Sequence, residues 1–339
     1  MDRVKNSKIG TWKICGGLVL VFGLVILIWR FWPKDKQVYL SPEAPWLQIE
    51  KPLEKYAFEN LRKRAFGGSE IKKEELLYKT NSYEAWLFSY LVDGKKVTGQ
   101  LNQPVGGSVP FGRDGWPVVV MLRGFVDQEI YETGVGTKNG ASYFASNGYM
   151  TLAPDFLGFG ESDMPPNNVF EERFLRPVQV LELLASIKNM EGVDPTDIQI
   201  WAHSNGGQLA LSVLEISGAD YPTSLWAPVS KPFPYSILYF TDEFDDEGKA
   251  LRKVLAGLEV QYNVDDFDIT KHYDLIKAPI QIHQGNRDDA VPLEWSRELE
   301  SDLKKLEKQV ELFVYDGADH NLVGGWDVAM RRSLEWFGK

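Results

Sequence analysis

IQIWAHSNGGQLALSVLEIS, running from Ile198 to Ser217, sets Ser204 between a run of strand formers and a run of helix formers. IQIWAHS is rich in β-branched and aromatic residues, and GGQLALSVLEI repeats its apolar positions at helical spacing. The turn between them reads Ala202-His203-Ser204-Asn205-Gly206, the spacing of a nucleophile elbow with alanine in the first glycine position. On so tight a turn a hydroxyl is pushed clear of the backbone. The residues two positions either side must then be small, because strand and helix approach closely; Ala202, Gly206 and Gly207 meet that demand. A serine hydroxyl is a weak nucleophile at neutral pH, so a base must take its proton and a carboxylate must orient the base.

Working outward from the elbow, WPVVVML, GYMTLAP, SLWAP, PIQIHQG and VELFVYD are further short β-rich runs. FLRPVQVLELLASIKNM and LEWSRELESDLKKLEK lie between them with helical spacing. This alternation predicts an α/β fold with a mostly parallel central sheet and helices on both faces. Reactive groups in such sheets gather at the carboxyl ends of the strands. After PIQI, the loop HQGNRDDAVP offers Asp288 or Asp289 as the orienting acid; after VELFVY, the loop DGADHNL offers His320 as the base. Of the four histidines, His203 lies in the elbow and is expected to turn away from the nucleophile, His272 sits in a long connection, and His283 is within or ending a strand. His320 alone occupies a loop after the last strand. Two main-chain N–H groups should face the oxyanion that develops on the attacked carbonyl. Asn205, following the nucleophile, supplies one, and Phe125, just past VVVML, supplies the other.

The remaining segments frame this body. ELLYKTNSYEAWLFSYLVDGKKVTGQLNQP, with Asp93-Gly94 between two strand-like runs, predicts antiparallel N-terminal strands joined by a tight turn. Residues 229–276 separate SLWAP from PIQIHQG by far more than an ordinary connection, which predicts a helical cap insertion. Its acidic runs TDEFDDE and DDFD read as a solvated face, or as a negative funnel favouring cationic substrates. Its aromatics Phe233, Tyr235, Tyr239 and Phe240 either pack on each other or line an acyl pocket. Residues 33–70 form a stalk followed by an amphipathic helix, on which Leu53, Ala57, Leu61 and Ala65 share a face. Residues 14–32 carry an uncharged run, ICGGLVLVFGLVILIW, extended by Phe31 and Trp32. Preceded by a basic tail at 1–13, that run has the length of a transmembrane helix. It predicts a single-pass membrane protein with a cytoplasmic N-terminus and an extracytoplasmic catalytic domain. Cys15 has no intrachain partner, so neither an internal disulfide nor a cysteine-rich metal cluster is expected. Thirty-seven basic against forty-eight acidic residues give a formal charge of -11, which repels phosphate backbones and argues against a nucleic-acid partner.

WAHSNGG, GNRDDAVP, DGADHNL and the APDFLGFGESD segment together resemble the α/β-hydrolase superfamily, and within it the prolyl oligopeptidase-like branch of serine hydrolases. The resemblance covers about Leu76 to Lys339, within a hydrolase domain placed at 71–339. It implies a Ser204-Asp288-His320 triad: the family pattern G-x-x-D-x-x-V-P, counted from Gly285, selects Asp288 over Asp289. Family members usually carry His-Gly at the oxyanion strand, whereas this chain has Arg123-Gly124, a departure that bears on local polarity and substrate preference. In the family APDFLGFGESD is a structural turn, so Asp155, Glu161 and Asp163 are not expected to bind a metal. The implied chemistry needs no metal or organic cofactor. The expected substrates are small acyl esters or thioesters, with short peptides as the alternative. A non-catalytic binding domain on the same fold usually lacks the serine or the histidine, and here both are present.

Overall fold

The computed structural model of the chain describes residues 50–105, 115–241 and 244–338. A single nine-stranded sheet organises them, in the spatial order β1-β2-β3-β5-β4-β6-β7-β8-β9. The first three strands, β1 (Lys72–Lys79), β2 (Tyr83–Val92) and β3 (Lys95–Pro104), are antiparallel neighbours. Asp93 and Gly94 join β2 to β3 with φ of 50° and 80°, the positive pair that a two-residue hairpin turn requires. β3 then pairs antiparallel with β5 (Met150–Pro154). From β5 the sheet is parallel through β4 (Trp116–Leu122), β6 (Val193–His203), β7 (Thr223–Trp226), β8 (Ile280–Gly285) and β9 (Val310–Tyr315).

Both faces of the parallel part are covered, which is why its strands read as near-continuous apolar runs. Along β4, Val118, Val120 and Leu122 enter one core while Val119 and Met121 enter the other, the period-two alternation of a pleated strand. The first core is closed by α3 (Val169–Ile187), α4 (Asn205–Ser217) and α7 (Leu293–Lys305); the second by α2 (Lys138–Ser146) and α8 (Trp326–Phe337). Asn168 starts α3 by accepting hydrogen bonds from the N–H groups of Phe170 and Glu171. The long connection between β7 and β8 folds as α5 (Tyr235–Leu238), α6 (Lys249–Gln261) and a series of 3-10 turns from Val264 to Leu275.

Three expectations change. The amphipathic helix shortens to α1 (Phe58–Lys63), preceded by a 3-10 turn at Glu54–Tyr56. Leu53, Ala57 and Leu61 are buried as expected, but Arg64 turns extended and leaves Ala65 exposed. The acidic runs act as local caps where they are described: Asp246 accepts from the N–H groups of Gly248 and Ala250, and Asp268 from that of Thr270. Finally, no helix among the described residues is long and apolar enough to cross a membrane. The longest, α3, spans 19 residues but carries Glu171, Glu172, Arg173, Arg176 and Glu182, each costly in hydrocarbon. Among the described residues this corrects the expectation of a single-pass membrane protein with an extracytoplasmic catalytic domain: none of them supplies a span. The tail at 1–13, the anchor at 14–32 and the first part of the stalk lie outside the described residues.

Candidate active site

Four strands end on the same edge of the sheet, and the loops that leave them carry Phe125, Ser204, Asp288 and His320. Ser204 sits between β6 and α4 with φ 56° and ψ -121°, a conformation that L-residues rarely adopt. Main-chain bonds hold it there: its N–H donates to the Trp226 carbonyl at 2.8 Å, and its own carbonyl accepts from Gly207 and Val229. Gly206 is required because a Cβ there would run into the carbonyl oxygens of Leu122 and Arg123 at the end of β4.

The loops that leave β8 and β9 are built as one unit. Gly285 packs so closely on the base loop that a Cβ would collide with the carbonyl oxygens of Ala318 and Asp319. Across the same seam Asn286 donates to Tyr315 and Arg287 to Ala318, both main chain to main chain. The result places the Asp288 carboxylate at 2.9 and 3.0 Å from Nδ1 of His320. A carboxylate facing Nδ1 fixes the proton on that nitrogen and leaves Nε2 as the ring's proton acceptor. Asp288 also accepts from the N–H groups of Ala290 and Val291 and from the Gln284 amide. Burial works to raise its pKa, but the hydrogen bonds from His320, Val291 and Gln284 outweigh it and hold the carboxyl below its ordinary value. Asp289 is exposed and takes no part in this network.

His203 does more than turn away from the nucleophile. Its Nε2 lies 3.0 Å from the main-chain carbonyl of His320, and the two rings are 4.7 Å apart. Burial, and then the neighbouring His320, lower its pKa to about 4, so it is neutral near pH 7 and donates through Nε2 to that carbonyl. The residue before Ser204 thus holds the backbone of His320. A histidine at that position of the elbow was the only sequence signal for this contact. Among the described residues no hydrogen bond joins the Ser204 hydroxyl to the His320 ring; contacts of this kind commonly tighten only with substrate bound.

Asn205 is the first residue of α4, where the helix dipole is positive and the N–H groups are free of helical partners. A Cβ at Gly124 would lie 2.9 Å from that of Ser204, so the loop carrying Phe125 runs directly beside the nucleophile. Phe125 itself is 74% exposed. Arg123, in the usual histidine position, is buried and bonds through its guanidinium to the carbonyls of Gly124 and Asp155. It lies 4.5 Å from the ring of Tyr131 and 4.3 Å from that of Phe159. Asp155 accepts from the hydroxyls of Thr98, Tyr131 and Thr133, and so anchors the turn that follows β5. Of the cap aromatics, Tyr235, Tyr239 and Phe240 pack around Trp295, whereas Phe233 packs on Phe174 and lines a cavity that reaches Asn205.

The chain is similar to several known proteins. A family model described as the dienelactone hydrolase family matches residues 266–324, the stretch that holds Asp288 and His320. An uncharacterized peptidase, YtmA of Bacillus subtilis (strain 168), is 24% identical over 257 residues, covering 74% of this chain and 91% of that protein. Among solved structures, an acetyl xylan esterase from Paenibacillus sp. R4 superposes with a TM-score of 0.60 at 18% identity, covering 86% of this chain and 96% of the esterase. A puromycin-hydrolyzing peptidase from Mycobacterium tuberculosis gives 0.62 at 18% identity, over 77% of this chain and 40% of the peptidase. The chain is similar to esterases and peptidases alike and has the α/β-hydrolase fold expected from its motifs.

Proposed function

We propose that this α/β-hydrolase-fold chain is a serine hydrolase that cleaves carboxylic esters or thioesters through an acyl-enzyme. The observation that carries the reading is the Asp288 carboxylate set 2.9 Å from Nδ1 of His320, on the loop that the residue preceding the elbow serine holds in place. Ser204 Oγ attacks the carbonyl carbon while Nε2 of His320 takes the hydroxyl proton. The N–H groups of Phe125 and Asn205 stabilise the oxyanion, each contributing about 3 kcal/mol by analogy with other oxyanion donors. As the tetrahedral intermediate collapses, the bond to the leaving alcohol or thiol breaks and His320 returns the proton to it. Water then attacks the acyl-enzyme with His320 again as base, releasing the acid and restoring the Ser204 hydroxyl. Asp288 stays ionised throughout and fixes the imidazole tautomer.

Peptide hydrolysis by the same residues is the second reading, favoured by the similarity to YtmA and to the puromycin-hydrolyzing peptidase. A fluorophosphonate probe should label the native protein and leave Ser204→Ala unlabelled; equal labelling of both would sink the nucleophile assignment. Turnover of 4-nitrophenyl esters of graded chain length beside aminoacyl anilides then separates esterase from peptidase.

A further inference from the structure

The cavity that begins at Gly124 and Asn205 is walled by apolar side chains, but it also holds three arginines: Arg123, Arg173 and Arg176. Its volume of about 60 Å³ is several times what one water molecule needs. Arg123 is buried and the other two are partly buried, and cations drawn into apolar surroundings are normally matched by a carboxylate. Arg176 has one, Glu172 at 2.9 Å. Arg123 spends its terminal nitrogens on two carbonyls, faces aromatic rings, and is left with a buried Nε that has no hydrogen-bond partner. Arg173 has no acidic partner among the described residues and donates only to the neutral side-chain carbonyl of Gln208. Gln208 is itself fixed by bonds to the Lys231 carbonyl and the Ser236 hydroxyl, so it orients the guanidinium without neutralising it. Desolvation, and then Arg176, bring the Arg173 pKa down to about 9, the response of a cation that lacks an anion.

We propose that this cavity is an anion subsite, which holds a carboxylate carried by the ester substrate, with Arg173 as its principal cation. Gln208 follows Asn205 by three positions on α4, which places the Arg173 anchor roughly 4.5 Å along the helix axis from the oxyanion donor. The half-ester of a short dicarboxylic acid is the simplest substrate that carries a carboxylate beside the attacked carbonyl. The guanidinium, planar and with most of its donors unused, can take a carboxylate in a bidentate pair. A cationic substrate, of the kind an acidic surface attracts, would meet like charge here. The inference rests on the serine hydrolase reading for its chemistry and adds the charge of the substrate.

The test compares matched esters: 4-nitrophenyl hydrogen glutarate against 4-nitrophenyl butyrate for a carboxylate on the acyl side, and 4-acetoxybenzoate against phenyl acetate for one on the alcohol side. One pair should show at least a tenfold preference in kcat/KM for the anionic member, and glutarate should inhibit competitively where glutaramide does not. Arg173→Met should collapse that ratio about tenfold, and Arg173→Lys should restore part of it. Turnover of neutral esters with no anionic preference in either pair overturns the subsite while leaving the hydrolase reading standing. Calorimetric titration of Ser204→Ala with glutarate separates binding from catalysis. Binding that Ser204→Ala/Arg173→Met loses supports the subsite even if no ester is turned over, and absence of binding overturns it.

Discussion

Each residue at the site works through a contact that assigns it one protonation state. Asp288, fully buried in its side chain, is kept ionised by four donors, and its charge in turn fixes His320. Asp288→Asn should preserve the fold, since the amide is isosteric, yet lower kcat by roughly 10⁴-fold because the imidazole loses its required tautomer. Steady-state kinetics beside a thermal melt checks both parts. His203→Phe keeps an aromatic ring beside that of His320 but removes the N–H that holds its carbonyl. A 10- to 100-fold fall in kcat is expected from the misplaced base, with substrate KM little changed; an unaltered kcat would show that the acid loop alone positions His320. Ser204, Asn205 and His320 could be read from the sequence because their motifs sit at strand ends. The work of His203 and Gln284 could not, since each acts through a partner more than a hundred positions away or across a turn in the loop.

At the level of elements, close approach decides more than propensity. Gly94 and Gly285 illustrate two different demands. At Gly94 a Cβ meets nothing within 4 Å and only the positive φ resists it, so Gly94→Ala should cost about 1–2 kcal/mol. At Gly285 the same methyl collides with the backbone of the base loop. Gly285→Ala should therefore cost more than 3 kcal/mol or separate Asp288 from His320. Urea unfolding of the two variants side by side measures the difference; equal losses would mean that the seam between β8 and β9 is soft. The hairpin and the alternating elements were legible because their signals are local. The fate of the 53–65 segment was not, because burial of Tyr56 and Phe58 breaks the regular spacing that Leu53, Ala57, Leu61 and Ala65 suggest.

Across the whole molecule, buried titratable groups set how stability varies with pH. Glu215 on α4 is wholly buried, neither carboxyl oxygen has a partner, and burial raises its pKa well above the ordinary value. Above pH about 4.5 the unfolded chain releases this proton while the native state keeps it, so stability falls as pH rises. His203 and His283 act with the opposite sign. Burial lowers them to about 4 and about 3, so stability falls as pH drops below about 6.5, where the unfolded chain begins to take up protons. Glu215→Gln should flatten the loss between pH 5 and 8 and leave the acid side unchanged. Urea midpoints at pH 4.5, 6 and 8 test this, and an unaltered slope above pH 5 would refute it.

The sequence by itself determined the strand and helix alternation and the placing of Ser204, Asp288 and His320 in loops after three strands, because each is written in short-range spacing or in the loop following a strand. Tertiary structure alone decided which surfaces meet. It aimed the Asp288 carboxylate at His320, and it turned His203 into a brace for the backbone of His320. It also gathered arginines from the loop after β4 and from α3 around one cavity beside the elbow. Those outcomes depend on packing between residues far apart in the chain, and no local pattern encodes how closely two loops approach or whether a buried charge finds a partner.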